Sequence, residues 1–179
     1  MEEITRIDPS AIIHETSWIN PHNVVIEKNV KIGPFCSIGC DGFQVDRSKM
    51  MIVPHKGKII IKANVELLSH CDVDLGLNEG DITLIGENCK ISHYVHVAHN
   101  CHIGKNTLVG GHTNLGGADI GENCYIQGGC NIQYGIKIGD NVEVTIGSVV
   151  TKDVEANKKV SGFWAVDNEK WVKFIRSIR

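Results

Sequence analysis

Four histidines stand three residues apart in the stretch HYVHVAHNCHIG, as His93, His96, His99 and His102. Imidazole is the side chain whose ordinary pKa lets it exchange a proton near neutrality, and it is also a common metal ligand. The cluster could therefore hold a metal, supply a general base, or recur only because the chain repeats. The choice depends on where the backbone places each ring.

The elements that must position them follow a period of six. Aliphatic residues recur as Ile7, Ile13, Ile19 and, after one extra residue, Ile26, Ile32, Ile38. They resume as Ile61, Leu67, Val73, then Ile85, Ile91, Val97, Ile103, Val109, Leu115, and, one residue short, Ile120, Ile126, Ile132, Ile138, Val144, Val150. Counting the aliphatic residue as position one, position five is small or medium and mostly apolar: Ala11, Cys36, Val65, Cys71, Cys89, Cys101, Thr107, Cys124, Cys130 and Val142 belong to it. Such a pattern fits neither a helix of period 3.6 nor a simple alternating strand. It fits short strands joined by tight turns, three to a coil of about 18 residues, stacked at the ~4.8 Å spacing of parallel strands into a triangular prism.

In this frame His93 and His99 take position three and His96 and His102 take position six, near turns and outside the core. Successive units lie on successive faces, so the four rings spread around the coil, and a metal site within one chain is not expected. Six of the seven cysteines fall at position five; only Cys40 does not. They read as small core residues, and their odd number, without an export signal after Met1–Glu2–Glu3, predicts a reduced, cytoplasmic chain.

At 179 residues, with 42% hydrophobic and 22% charged residues and a net charge of −3, the chain suits one domain and lacks the basic excess that nucleic acid would demand. No apolar run is long enough to predict membrane insertion. Glycine is frequent at 19 and aromatics scarce at 6%, as expected where stacked aliphatics form the core. Two segments break the repeat and predict protruding loops, at about 39–58 (GCDGFQVDRSKMMIVPHKGK) and about 74–84 (DLGLNEGDITL). The repeat region is assigned to 1–162. Beyond it, 163–179 places Trp171, Phe174, Ile175 and Ile178 at helical spacing, with Asp167 or Asn168 as N-cap and Lys173, Arg176 and Arg179 toward the C-terminal end. A short amphipathic helix closing the last coil, or packing on a neighbouring subunit, is expected.

The hexads resemble the left-handed parallel β-helix of the hexapeptide-repeat acyltransferases over nearly the whole chain. The handedness is implied by that resemblance and runs against the usual crossover rule. DGFQVDRSKMMIVPHKGKIIIKANVEL followed by VHVAHNCHIGKNTLVGG is similar to the UDP-3-O-acylglucosamine N-acyltransferases of lipid A synthesis, with their DGFG…IPQ.G and IAHNV.IGDNT patterns, and VSGFWAVDNEKWVKF is similar to their ending. VTKDVEANKKVSG resembles sugar acetyltransferases that use acetyl-CoA. The sequence departs from the lipid A family in entering the repeat at Ile7, without the separate N-terminal uridine-binding domain. It carries Gly135 where the family has a second histidine and Ser92 where it has an aspartate seven residues before the catalytic histidine. The resemblance implies an all-β fold, a homotrimer with sites between subunits, and acyl transfer from a pantetheine thioester. The donor would be acetyl-CoA, another acyl-CoA or acyl carrier protein, and the acceptor the amine of a nucleotide-linked amino sugar. An O-acetyltransferase and a non-catalytic scaffold of the same fold are the alternatives.

His99, in VAHNC, matches the family's catalytic histidine and is the candidate general base, since an amine attacking a thioester must lose a proton. Asp81, one coil earlier on the same edge, is the candidate to orient it, with Asp72 and Asp74 as rivals. His96, Asn100 and His102 are candidate substrate contacts. Gly117, one coil after His99, and Gly135, one further, are candidates for lying against the pantetheine arm, where exposed backbone amides could bind the thioester oxygen. The resemblance extends to γ-type carbonic anhydrases, which bind zinc between subunits with two of the histidines five residues apart; no histidine pair here has that spacing, so no metal is expected.

Overall fold

The computed structural model describes residues 4–162 and 168–178; Asp167 and the side chain of Trp171 lie outside the described residues. The repeat winds into a left-handed parallel β-helix. The first sheet stacks the strands Arg6–Ile7, Val24–Ile26, Lys58–Ile61, Ile82–Ile85, His102–Ile103, Asp119–Ile120 and Lys137–Ile138. The second runs from Ile12–Ile13 through Lys31–Ile32, Glu66–Leu67, Lys90–Ile91, Leu108–Val109, Tyr125–Ile126 and Glu143–Val144 to Lys159–Val160. The third runs from Trp18–Ile19 through Ser37–Cys40, Asp72–Asp74, His96–Val97, Asn114–Leu115 and Asn131–Ile132 to Val149–Val150.

Within each sheet the aliphatic position-one residues stack in register, as Val73 on Val97 on Leu115 on Ile132. Alternation along each strand turns them inward. Ile59, Ile61, Val73, Ile85, Val97, Leu115 and Ile126 are fully buried, and the position-five residues Val65, Cys71, Cys89, Cys101 and Cys130 fill the corners beside them. The cysteines are free. Burial pushes the Cys89 thiol up to about 11 and Cys101 up to about 12, the behaviour of inert core thiols.

Two of the three corners are regular, and each carries a ladder at the turn residue with positive φ. Between the first and second sheets that residue is Asn29, Asn64, Asn88, Asn106, Asn123, Asn141 and Asn157 in turn, with φ between 55 and 62°. Asparagine tolerates this left-handed conformation, and its amide can bond to the same residue one coil away. Asn88 Nδ2 donates to Asn106 Oδ1 at 3.1 Å and Asn106 Nδ2 to Asn123 Oδ1 at 3.0 Å. Between the second and third sheets the turn residues Phe35, His70, Tyr94 and His112 hold φ of 56–58° and stack ring on ring, at centroid distances of 5.0, 4.6 and 4.9 Å. The stacking offsets the cost of bulky residues in a region they rarely adopt.

Every departure from six falls at the third corner, between the third and first sheets. The extra residue lies between Ile19 and Ile26, and the missing one between Leu115 and Ile120. Both loops leave from this corner too. The first carries an antiparallel hairpin, Val45–Asp46 with Met51–Ile52, and ends at the strand Lys58–Ile61. The second is shorter than 74–84, because Ile82–Ile85 is already a strand paired with Lys58–Ile61. The loops bind each other: Lys56 N donates to Leu77 O, Gly57 N to Gly76 O and Lys58 N to Asp81 O, at 2.8–3.1 Å.

The helix spans Asn168–Ser177. Among its described side chains, Phe174 and Ile178 are 49% and 64% exposed, Val172 is exposed and Ile175 is half-buried.

Candidate functional site

His99 lies at the irregular corner, on the turn between the strands His96–Val97 and His102–Ile103. It is 8% exposed, although turn positions of this kind usually face water. The covering comes from the two loops. Asn100, at φ 61°, fixes the turn to the second loop: its Oδ1 accepts from Leu77 N at 2.9 Å, its Nδ2 donates to Asp81 Oδ2 at 3.0 Å, and its backbone N–H donates to the buried Thr83 hydroxyl. The first loop brings His55 and Gly42 against the ring. The His55 side chain is fully buried, and its ring meets that of His99 edge-on at 5.1 Å. Its Nδ1–H donates to Val53 O at 3.0 Å and its Nε2 accepts from Gly42 N at 3.2 Å, which fixes the neutral tautomer. Gly42 has no room for a side chain: a Cβ there would lie 2.6 Å from Asp74 Oδ2 and 3.1 Å from both His55 Nε2 and His99 Cδ2.

Asp74 is the buried carboxylate of the cluster, 5% exposed. A register shift after Val73 pairs it with Cys40 and turns it into the corner. Its Oδ2 accepts from His96 Nε2 at 3.0 Å, and His96 Nδ1 lies 2.9 Å from Asn114 Oδ1. The Asp74 hydrogen bond raises the His96 pKa above the usual imidazole value, against the opposing effect of burial. His99 moves the other way. Burial, then the neighbouring His55, hold it below the usual value, while Asp74 and Asp81 pull weakly upward. Its Nδ1 is buried and has no hydrogen-bond partner among the described residues, an arrangement that costs about 1–3 kcal/mol and calls for an explanation.

On the other side of His99 the coils supply Gly117 and Tyr134, both at position three of their units. Gly117 carries no side chain, so the Tyr134 ring folds down over it; a Cβ at Gly117 would lie 2.5 Å from Tyr134 Cε2 and 2.8 Å from His99 O. Tyr134 thereby reaches His99, ring to ring at 5.4 Å, while remaining 55% exposed. Among the described residues no hydrogen bond uses the Gly117 N–H, whereas the Gly135 N–H donates to Gly117 O at 3.2 Å. Gly135 sits at φ 76° with open space around its would-be Cβ, the same turn position that Asn100 fills two coils earlier. Its glycine answers to backbone conformation.

The remaining candidates are placed as follows. Asp81 makes no hydrogen bond to His99; its Oδ2 accepts from Asn78 N, Asn78 Nδ2 and Asn100 Nδ2, and these bonds hold its pKa below the usual carboxylate value. The physical reason is the second loop's return path, which delivers Asp81 beside Asn100 and leaves Asp74 nearer the ring. Asn100 has its side chain engaged by the loop, so it positions the turn. His102 lies on the first sheet's outer face, with Nε2 2.9 Å from Ile82 O and Nδ1 3.1 Å from Asp119 Oδ1. His93 accepts from Ser69 at the opposite corner. Asp72 points out of the third sheet and is exposed. Among the described residues no group of three or more His, Cys, Asp or Glu side chains could hold a metal ion. No described helix is long and apolar enough to cross a membrane.

His55 and Tyr134 are the members that sequence reasoning missed. Tyr134 could have been found by carrying position three forward past the missing residue at Gly117. His55 lies in a loop without periodicity, and only its place in IVPHKG, where the resembled family has glutamine, marks it.

A groove of about 430 Å³ on the second sheet, bordered by Leu68, Leu108 and Tyr125, and another of about 550 Å³ at the first coil do not border His99. The loops, not a cleft, bury it.

Comparison with known proteins agrees with this architecture. Residues 82–117 match the family described as bacterial transferase hexapeptide (six repeats). The chain is 45% identical over 157 residues to a UDP-3-O-acylglucosamine N-acyltransferase of Rhodopseudomonas palustris (strain HaA2), covering 86% of this chain and 43% of that protein. A second such enzyme, of strain BisB5, is 41% identical over 75 residues, 41% of this chain and 20% of its own length. The chain thus spans less than half the length of the curated relatives it matches. Among solved structures, a UDP-N-acetylglucosamine acyltransferase superposes with a TM-score of 0.67 at 23% identity, covering 97% of this chain and 79% of the other. An Arabidopsis UDP-N-acetylglucosamine acyltransferase gives 0.64 at 19%, covering 87% and 71%. At these identities the structures establish the shared fold.

Proposed function

We propose that this hexapeptide-repeat chain is an N-acyltransferase, moving an acetyl or other short acyl group from a pantetheine thioester to the amine of a nucleotide-linked amino sugar. Coenzyme A is the carrier favoured, with acyl carrier protein as the other source of the same thioester. The setting proposed is cytoplasmic synthesis of cell-surface polysaccharide or lipopolysaccharide, by a homotrimer whose sites lie between neighbouring subunits. The observation that carries the reading is a single histidine, His99, buried by two loops, held below its usual pKa and left with an unpaired ring nitrogen. The similarity to UDP-3-O-acylglucosamine N-acyltransferases supports the choice of amine and nucleotide sugar.

A depressed pKa keeps the imidazole unprotonated and able to accept at neutral pH. The amine lone pair attacks the thioester carbonyl carbon, forming the C–N bond while His99 takes the ammonium proton. The Gly117 N–H, which makes no hydrogen bond among the described residues, is the proposed donor to the oxygen that gains charge. Collapse of the tetrahedral intermediate breaks the C–S bond, and the proton held by His99 neutralises the departing thiolate. Tyr134, half-exposed over Gly117, offers an aromatic surface beside the reacting atoms.

The test is mass-spectrometric assay of the chain with a panel of nucleotide amino sugars and acyl-CoAs. A mass gain of one acyl group on an amino sugar is expected, with turnover reduced about 10²–10⁴-fold in His99→Asn and the fold retained. Unimpaired turnover in His99→Asn eliminates the base. Thermal stabilisation by coenzyme A separates an enzyme from a bare scaffold.

A further inference from the structure

We infer that His55, carried in by the first protruding loop, is a positioning residue for His99: its ring, locked by two backbone hydrogen bonds, sets the orientation of the imidazole that accepts the proton. This rests on the reading of His99 as the base.

A base needs something to fix its ring, and a carboxylate on the second nitrogen is the usual device. Here neither nearby carboxylate serves. Asp81 is held by Asn78 and Asn100, and the Asp74 oxygen nearest the cluster is taken by His96. Among the described residues His99 Nδ1 has no hydrogen-bond partner, so the ring is held by packing. Two rings supply that packing, His55 edge-on at 5.1 Å and Tyr134 tilted at 5.4 Å. Tyr134 is more than half exposed and free to yield. His55 is not: its side chain is fully buried, both its ring nitrogens are engaged, and its own N–H donates to Asp41 Oδ1 at 2.8 Å.

The hydrogen-bond pattern also says what His55 cannot do. Protonating Nε2 would set an N–H against the Gly42 N–H and lose that hydrogen bond, so with both nitrogens engaged the ring has no acceptor left to share the His99 proton. It excludes water from one side of His99 without adding a carboxylate's charge. Burial is the foremost cause of the depressed His99 pKa, His55 itself the second; Asp74, Asp81 and His96 are the other charged or titratable groups acting on the ring. The loop and the base are therefore one unit.

The experiment titrates the His99 ring by ¹⁵N-edited NMR in the full chain without substrate, assigned by comparison with His99→Asn. Turnover is then measured with the amino sugar and acyl-CoA found active. In the unmodified chain His99 should titrate below free imidazole. In His55→Ala the midpoint should rise toward the ordinary value, with kcat reduced about tenfold and KM little changed, as expected for a misplaced base. His55→Gln, which can still donate to Val53 O and accept from Gly42 N, should keep the low midpoint and recover most of kcat. Gly42→Ala keeps the His55 side chain but drives a methyl against Asp74 Oδ2 and between the two rings, and should also raise the midpoint, so the test survives a hairpin released by His55→Ala. An unmoved His99 midpoint in both His55→Ala and Gly42→Ala overturns the positioning role whatever the assay shows. A shifted midpoint with His99→Asn fully active overturns the base and leaves the ring contact standing, so the two failures are distinguishable.

Discussion

The asparagine corner and the His99 corner belong to the same coils and are built to opposite ends. At the first, asparagine recurs from Asn29 to Asn157 at nearly one φ, and amide hydrogen bonds join Asn29 to Asn64, Asn88 through Asn106 to Asn123, and Asn141 to Asn157. At the second, no two successive turns agree; a residue is added, two loops emerge, and a residue is dropped. A solenoid needs its core ladder in register but not all of its turns, so uniformity can be confined to two edges while the third varies. What varies there is also what brings His55, Asp74, His96, His99 and Tyr134 together. Division of labour is the lesson: regular edges hold the prism and the irregular edge gathers the candidate site.

The comparison breaks most sharply at Gly117 and Gly135. Gly117→Ala should displace Tyr134 and crowd the His99 carbonyl, lowering turnover by about ten- to a hundredfold. Gly135→Asn, at a left-handed turn with open space and asparagine precedents, should leave turnover and melting temperature near their starting values. Equal effects of the two changes in steady-state assays would show that the corner tolerates or resists side chains indiscriminately. The next effect in size lies on the other edge. Asn106→Ala removes two ladder bonds and puts a Cβ without a compensating amide at φ 58°, for about 1–2 kcal/mol in chemical denaturation. Asn106→Gly should cost less, because only the bonds are lost. Neither should alter kcat; a turnover defect larger than the stability defect would erase the division between edges.

The smallest effect is pH-dependent. Asp74 raises the folded-state pKa of His96, so the pair's contribution to stability is fully present below the unfolded imidazole value of about 6.5 and is lost as pH rises through the higher folded value. With His96 42% exposed, the contribution should stay under about 1 kcal/mol. Denaturant midpoints of the unmodified chain and His96→Gln should therefore differ at pH 5.5 and converge above pH 8. His99 carries the opposite sign. Its pKa is lowered, so kcat/KM should rise through an inflection below free imidazole and stay level toward neutrality.

The prism was legible because stacked aliphatics cannot avoid a period of six, and Ile85, Ile91, Val97 and Ile103 keep it without error. The cysteines' role followed from the same count. His99 could be singled out by its motif and its place at a turn. Its surroundings could not, because they depend on how two aperiodic loops fold back. Residue spacing made Asp81 the neighbour of His99, whereas the second loop's hydrogen bonds hand Asp81 to Asn100 and bring Asp74 into the corner. His55 lies 44 positions from His99 in a segment with no repeat to extrapolate. Tyr134 reaches His99 only because Gly117 leaves room, a consequence of absent atoms that no periodicity records.

The strand before His99 is the middle member of its seven-stranded sheet, with three neighbours on either side. Coils of a stacked prism touch only the next coil, so opening spreads inward from the two ends. Amide protons flanking His99 should accordingly be among the slowest in the chain to exchange with heavy water, despite lying beside its least uniform turns. Depth along the stack lends the variable edge a rigidity that its own contacts do not supply.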